Sequence, residues 1–168
     1  MNFSVTQDYP AGLDRLWAAF GRPEYPQQKY LALGATAVRV HSFKVTAQTI
    51  DVDLERDVPV DPSSVPPWAR IFIGKAQTLR HRTRWRRVDA THVAAELDIS
   101  PIGQPVHAHG VGTIVETAPG ATRMLLSWRV STTLPVMGGA VERLFASQVR
   151  NALDADHAFS LRYMQDAR

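Results

Sequence analysis

The C-terminal part of the sequence constrains the fold most, because one amphipathic pattern runs unbroken from about residue 135 to residue 164. Its apolar and aromatic residues recur at steps of three and four, which is the spacing of one face of an α-helix. The series is Val141, Leu144, Phe145, Gln148, Ala152, Ala155, Phe159 and Tyr163. A helix of this length spans about 45 Å at ~1.5 Å per residue. Because no single neighbouring helix would bury so long a face, we expect a sheet that curls round it, with a space between the two.

The composition is that of an ordinary globular chain. It has 168 residues, of which 45% are hydrophobic and 21% charged, and a formal net charge of +3. We therefore expect one domain over residues 1–168. The absence of Cys excludes disulfides, thiolate nucleophiles and thiolate metal sites. The first residues lack the pattern of a secretory signal, and no uncharged run is long enough to span a bilayer. These features predict a soluble, cytoplasmic protein with no stable membrane insertion.

Local patterns before the long helix predict one strand, two short helices and then a series of antiparallel strands. Alternation of apolar and polar residues predicts a first strand that Pro10 closes. Helical spacing then predicts two helices that end near Gly21 and Gly34. The later turns are predicted near residue 47 and at residues 89–90, 101–103 and 119–120. The predicted fold class is α+β, an antiparallel sheet of six or seven strands wrapped round the C-terminal helix.

This order of elements resembles that of the helix-grip superfamily (SRPBCC), which includes START domains, polyketide cyclase/dehydratases and birch-pollen-allergen-like proteins. The most specific part is the ending. Residues 134–142 read Leu-Pro-Val-Met-Gly-Gly-Ala-Val-Glu and run on to Phe159 and Tyr163, which is similar to START-like domains of an uncharacterised bacterial branch. The resemblance implies binding of hydrophobic small molecules between sheet and helix, and in some members cyclisation or dehydration. The superfamily has no universal catalytic motif, so the resemblance assigns no catalytic residue.

The inward faces of the predicted strands and of the last helix form an apolar wall with few polar residues. This composition is typical of a small-molecule cavity and also of a filled core. The volume left between a curved sheet and a straight helix favours a cavity. The predicted ligand-binding residues are His81, Thr83, Trp85, Trp128, Phe145, Gln148 and Phe159.

Two functions remain open for such a cavity. The first is binding or transfer of a hydrophobic small molecule or lipid, with no chemistry and no cofactor. The second is a cyclase/dehydratase-type reaction in which His81 acts as general acid/base and Asp156 orients it. A catalytic site would need several polar groups that meet at one point, and only His81 and Asp156 are candidates. Binding is therefore the favoured hypothesis. The sequence leaves the oligomeric state open.

An arginine-rich run over residues 80–87 raises the question of nucleic-acid binding. In a strand, its alternate arginines share one face and His81, Thr83 and Trp85 share the other. The next strand offers Glu96 and Asp98 on the arginine side. We therefore interpret the arginines as a solvated face with carboxylate neighbours, and expect no nucleic-acid partner.

The pair His107 and His109 lies two residues apart, so both side chains point to one side of a strand, as in some metal sites. No pattern of nearby acidic residues supplies a third ligand, so we expect no metal site. The neighbouring Gly110-Val111-Gly112 precedes no helix. It therefore predicts a bulge or a close backbone approach rather than a phosphate-binding loop.

A proline-rich stretch, residues 59–74, interrupts the strand patterns. After the prolines, residues 68–73 predict one or two helical turns that end at Gly74. The apolar side of this stretch, formed by Trp68, Ile71 and Phe72, predicts a gate over the mouth of the cavity. The alternative is a surface patch that only covers the core.

Overall fold

The computed structural model describes residues 1–71 and 73–166, and within them it has the predicted α+β architecture. Its elements are β1 (Asn2–Tyr9), α1 (Leu13–Phe20), α2 (Tyr25–Ala32), β2 (Ala37–Val45), β3 (Thr49–Pro59), β4 (Ala76–Arg87), β5 (His92–Pro101), β6 (Val106–Ala118), β7 (Ala121–Thr132) and α3 (Gly138–Asp166). Among the described residues, no helix is both long and apolar enough to cross a membrane.

The strands form one antiparallel sheet of seven in the order β1-β7-β6-β5-β4-β3-β2. From β2 to β7 each strand pairs with the next, through short turns except between β3 and β4, where residues 60–75 intervene. Strand β1 joins the last strand, with Phe3 opposite Trp128. The turn near residue 47 needs no glycine, because the Thr46 hydroxyl accepts hydrogen bonds from the amides of Gln48 and Thr49. The predicted sheet of six or seven antiparallel strands is confirmed.

Helix α3 packs on the sheet with a face that differs in phase from the predicted one. Its buried residues are Phe145, Ala146, Val149, Leu153, Ser160 and Met164. Ala155, predicted to face inward, is exposed, and Phe159 and Tyr163 are half-buried. These two rings pack beside Tyr25 of α2, with centroids 6.0 and 5.0 Å away. The prediction placed Phe159 and Tyr163 on the buried face of the helix. In the structure, smaller residues such as Ala146 and Val149 are buried on that face, and the two rings pack against α2.

The close backbone approach predicted around residues 110–112 is confirmed. A Cβ atom at Gly110 would lie 2.7 Å from the Trp128 ring, and one at Gly112 would lie 1.8 Å from the carbonyl oxygen of Leu125. Both distances are too short for a side chain. The two glycines therefore let β6 and β7 pair beneath the Trp128 indole.

The arginines of β4 form a solvated face, but their carboxylate partners come from a different strand than predicted. Arg80 contacts Asp53 at 2.8 Å and Arg84 contacts Asp51 at 2.9 Å, both across to β3. Arg82 lies 3.6 Å from the same Asp53. Charge complementarity with β3, rather than with β5, therefore organises this face.

The segment 59–74 contains no regular α-helix in its described part, so the one or two helical turns predicted over residues 68–73 are present only as isolated hydrogen-bonded turns. A single 3₁₀ turn, Pro62–Ser64, is capped by the Asp61 side chain. Backbone hydrogen bonds from Ala69 N–H to the Pro66 carbonyl and from Ile73 N–H to the Ala69 carbonyl then close two turns. Val65 and Ala69 are buried and Trp68 is half-buried, whereas Ile71 is 85% exposed. Phe72 lies outside the described residues.

Candidate functional site

A cavity of about 110 Å³ lies between the sheet and helices α2 and α3. Most of its lining is apolar and comes from the inward positions of β3, β4, β5 and β7. These apolar residues include Ile50, Val52, Leu54, Trp85, Leu97, Ile99, Met124, Leu126 and Leu153. An apolar wall with a few polar groups is the usual composition of a small-molecule site.

His81 is the centre of a polar cluster at one end of the cavity. It is 7% exposed, and its Nε2 accepts a hydrogen bond of 3.0 Å from Nε of Arg56. Since Nε2 accepts, we assign the ring proton to Nδ1, which lies 3.4 Å from the Tyr30 hydroxyl. The Arg56 guanidinium also lies over the Tyr30 ring, 4.6 Å from its centroid.

His81 is held neutral by its surroundings. Burial, reinforced by the positive charges of Arg56 and Lys29, keeps its pKa well below the ordinary value. Burial also lowers the pKa of Arg56, but a guanidinium stays protonated at neutral pH. The cluster therefore pairs a neutral imidazole with a buried cation.

Asp156 was predicted to orient His81, and the structure gives it a different partner. Its carboxylate contacts Nζ of Lys29 at 2.9 Å, and the Lys29 side chain is only 13% exposed. Burial alone would lower the pKa of Lys29, but the Asp156 carboxylate outweighs it and the net pKa lies well above the ordinary value. A permanent cation attracts a carboxylate more strongly than a neutral imidazole does, so Asp156 pairs with Lys29.

The predicted ligand-binding residues divide between this cavity and other parts of the molecule. His81, Thr83 and Trp85 line it. The other four lie elsewhere within the part of the chain that the structure describes: Trp128 and Phe145 are buried in the core, and Gln148 and Phe159 are half-buried on α3. The described gate residues, Trp68 and Ile71, are also outside the lining.

Sequence reasoning missed Arg56 and Lys29. Arg56 follows Val52 and Leu54 at two-residue steps, so strand alternation already places it on the inward face. The sequence therefore indicated Arg56 as a charged residue on the buried face of a strand. Lys29 has no comparable signal, because its position depends on how α2 packs on the sheet.

Trp85 brings an unpaired donor into the lining. It is 5% exposed, and its indole Nε1 has no hydrogen-bond partner among the described residues. A buried donor without a partner is unfavourable unless a water molecule or a ligand accepts from it.

Three possible metal ligands meet on the outer face of the sheet, which corrects the expectation that no third ligand exists. Asp98 of β5 lies opposite His109 of β6. Its Oδ1 is 2.9 Å from Nε2 of His107 and 2.8 Å from Nδ1 of His109. The three ligand atoms lie within 4.8 Å of one another. Pairing of neighbouring strands, which the sequence pattern did not register, supplies the carboxylate.

Comparison with known proteins identifies a family. The family described as "Protein of unknown function (DUF2505)" matches residues 4–164. No curated protein matches the sequence.

Solved structures share the fold over nearly the whole chain. The Zhui aromatase/cyclase from Streptomyces sp. R1128 is 12% identical, with 98% of this chain and 93% of that chain covered and a TM-score of 0.63. A START superfamily protein from Mycobacterium smegmatis is 14% identical, with 96% and 97% covered and a TM-score of 0.52. Norcoclaurine synthase from Thalictrum flavum, in complex with dopamine and hydroxybenzaldehyde, is 13% identical, with 96% and 87% covered and a TM-score of 0.54. Similarity at this level of identity concerns the fold, which is the START-like helix-grip fold.

Proposed function

The chain belongs to the DUF2505 family and has the START-like helix-grip fold, and from this premise we propose that residues 1–168 act as one domain that binds a hydrophobic small molecule. The observation that carries the proposal is the internal cavity, apolar along most of its lining and polar at one end. Its position between the sheet and the C-terminal helix is the one expected for a ligand of this fold.

The size of the cavity favours a small occupant. Its volume is about 110 Å³, and an engineered apolar cavity of roughly 150 Å³ in another protein binds benzene. The cavity is smaller than that one, so a ligand with a single ring or a short chain is at the upper limit of what it holds. A whole lipid requires a larger site, since pockets for drug-sized ligands are typically ~300–1,000 Å³. Dopamine and hydroxybenzaldehyde, which the norcoclaurine synthase structure contains, are likewise single-ring compounds.

Binding is supported over a cyclase/dehydratase reaction by the contacts of His81. A general base needs a free lone pair within reach of the substrate. The lone pair on Nε2 is taken by Arg56, and Asp156 pairs with Lys29 instead of supporting the imidazole. The arrangement favours recognition of a ligand over proton transfer.

The test replaces a small residue of α3 that lines the cavity with a larger one, whose side chain occupies the space proposed for the ligand. Ala152 lines the cavity, and Ala158 is an exposed alanine on the same helix. Unfolding of the wild type, Ala152→Leu and Ala158→Leu would be measured with and without benzyl alcohol. A ligand at 100 times its Kd stabilises the folded state by ~2.7 kcal/mol.

We expect that stabilisation in the wild type and in Ala158→Leu, and little of it in Ala152→Leu. The free energy of unfolding without ligand serves as the control for correct folding. Equal stabilisation of all three proteins would contradict the proposed site. No stabilisation of the wild type by any small apolar compound would contradict the function.

A further inference from the structure

We propose that the ligand is a small carboxylic acid, bound as its anion by the guanidinium of Arg56. The inference rests on the proposed function, since it assumes that the cavity holds a ligand. It adds the chemical class of that ligand and the residue that recognises it.

The first observation is that a buried cation lacks a carboxylate partner. Arg56 is 7% exposed on the inward face of β3 and lines the cavity. Its Nε donates to His81, and among the described residues no carboxylate lies within ion-pair distance of its guanidinium. Removing a charge from water is costly unless a counter-charge compensates it.

The second observation is that the carboxylate at the polar end, Asp156, is already used. Asp156 contacts Lys29 at 2.9 Å and also accepts a hydrogen bond from the Ser160 hydroxyl. Two cations, Arg56 and Lys29, thus share one carboxylate, while His81 is neutral. This end of the cavity therefore carries a net positive charge and favours an anion over a neutral or cationic ligand.

The geometry of the guanidinium favours a carboxylate among anions. Because His81 takes the Nε–H, the two Nη groups form the fork that remains, and no described residue accepts a hydrogen bond from them. A planar fork of two donors matches the two oxygens of a carboxylate. With a cavity of about 110 Å³, acids the size of benzoate or phenylacetate are the appropriate probes.

The test compares two ligands of nearly the same shape. Binding of benzoate and of benzamide would be measured by calorimetry for the wild type, Arg56→Met and Arg80→Met. Arg80 is the matched control, since it lies on the outer face in an ion pair with Asp53. A hydrogen bond to a charged group implies a preference of roughly 10- to 100-fold for benzoate. We expect that preference in the wild type and Arg80→Met, and its loss in Arg56→Met.

The outcomes separate this inference from the proposed function. Equal binding of benzoate and benzamide to the wild type would overturn the inference and leave the binding function intact. If neither binds, the function itself fails. A preference that survives in Arg56→Met would also overturn the inference. Should Arg56→Met not fold, Arg56→Lys keeps the charge without the fork, and the preference must weaken but persist.

A separate observation on the outer face of the sheet carries a second inference. The geometry points to a site for a divalent ion of the zinc class, with Asp98, His107 and His109 as ligands. It does not use the polar cluster around His81: the two imidazoles are outside the cavity lining, and only Asp98 also borders the cavity.

The ligand set and its spacing both fit such an ion. His107 and His109 lie on one side of β6, and Asp98 lies opposite His109. Ligand atoms ~2.0–2.2 Å from a tetrahedral zinc ion lie ~3.3–3.6 Å from one another. The contacts of 2.9 and 2.8 Å from Asp98 Oδ1 to the two imidazoles are within about 1 Å of that spacing, so a small outward shift of the three side chains admits the ion. Two nitrogens and one oxygen leave at least one coordination position for water or another ligand.

The nearest arginine across the sheet does not form an ion pair with Asp98, so the carboxylate contacts the two imidazoles. Arg82 lies opposite Asp98 on β4, but its ion-pair contact is with Asp53 at 3.6 Å. Other histidines of the described surface pair with a carboxylate singly, as His92 does with Asp89. Two imidazoles on one carboxylate oxygen distinguish the cluster from those ordinary pairs.

The test uses Co²⁺ and Zn²⁺ alone as probes. Calorimetry with both ions and the visible absorption of the Co²⁺ form would be measured for the wild type, His107→Ala, Asp98→Asn and His92→Ala. We expect one ion per chain, unchanged in His92→Ala. Loss of a direct ligand should weaken binding by more than about tenfold, since even supporting residues are worth that much. No binding by the wild type, or equal binding by His107→Ala, would overturn the inference.

Discussion

At the scale of single residues, the polar end of the cavity depends on His81 staying neutral. The imidazole accepts from Arg56 on β3 and lies beside Tyr30 of α2, with ring centroids 5.0 Å apart. Lys29 of α2 adds a second positive charge nearby. Protonation would place a third cation in this cluster and would remove the acceptor that Arg56 uses.

Replacing His81 by Gln should therefore remove a pH dependence of stability. The folded-state pKa of His81 lies well below its ordinary value of 6.5, so protons bind preferentially to the unfolded chain. The stabilisation is present above pH ~6.5 and is lost as the pH falls below it, by up to ~1.4 kcal/mol per pH unit. Urea unfolding should show about 1 kcal/mol more loss for the wild type than for His81→Gln between about pH 7.5 and pH 5.5. The same pH dependence in both proteins would show that folding does not lower the pKa of His81.

At the scale of elements, β4 presents two faces with separate roles. Its inward face contributes His81 and Trp85 to the cavity, and its outer arginines pair with acids of β3. The carboxylates of β3 reduce the net positive charge of this face, and it is net positive charge that attracts a nucleic-acid backbone. Mixed-sequence DNA or RNA should bind no more tightly than a nonspecific Kd of ~10⁻⁴ to 10⁻⁶ M at physiological salt. A nanomolar, steeply salt-dependent affinity that is lost on replacing Arg82 and Arg84 would reverse this assignment.

The segment 59–74 gives a second prediction at this scale. A buried Trp truncated to Ala costs about 3–5 kcal/mol, and the half-buried Trp68 should cost less. If the segment gates the cavity, Trp68→Ala should change the release rate of benzoate in stopped-flow measurements. Val88→Ala is the control, since that side chain is 67% exposed and lies outside the segment. A large loss of stability with unchanged release kinetics would identify the segment as a patch on the core.

How much was predictable also differs between elements. The strands and the long helix follow from local periodicity, and the glycines of β6 were correctly interpreted as a close backbone approach. The phase of α3 was not predictable from its aromatic residues, because Phe159 and Tyr163 pack against Tyr25 of α2. The partners of His81 and Asp156 depend on how distant segments meet, and no local pattern encodes that. Arg56 could have been found from strand alternation alone.

At the scale of the whole molecule, the cavity is a consequence of joining a curved sheet to a straight helix. Helix α3 contacts β1, β6 and β7, whereas α2 contacts β2, the strand at the opposite edge of the sheet. The apolar residues of the intervening strands are left between the two helices and line the cavity. Lys29 of α2 and Asp156 of α3 join the helices across it. A small ligand bound in this space would contact both helices and the sheet.

The most direct test is a methyl NMR titration of the wild type with phenylacetate. Ile50, Leu54 and Leu126 line the cavity, whereas Val88 and Val111 are exposed elsewhere on the molecule. If the cavity is the binding site, the methyl signals of the first three residues should shift together and saturate, while those of the last two stay fixed. Shifts confined to exposed methyl groups, or no saturable shift at any cavity residue, would contradict the account.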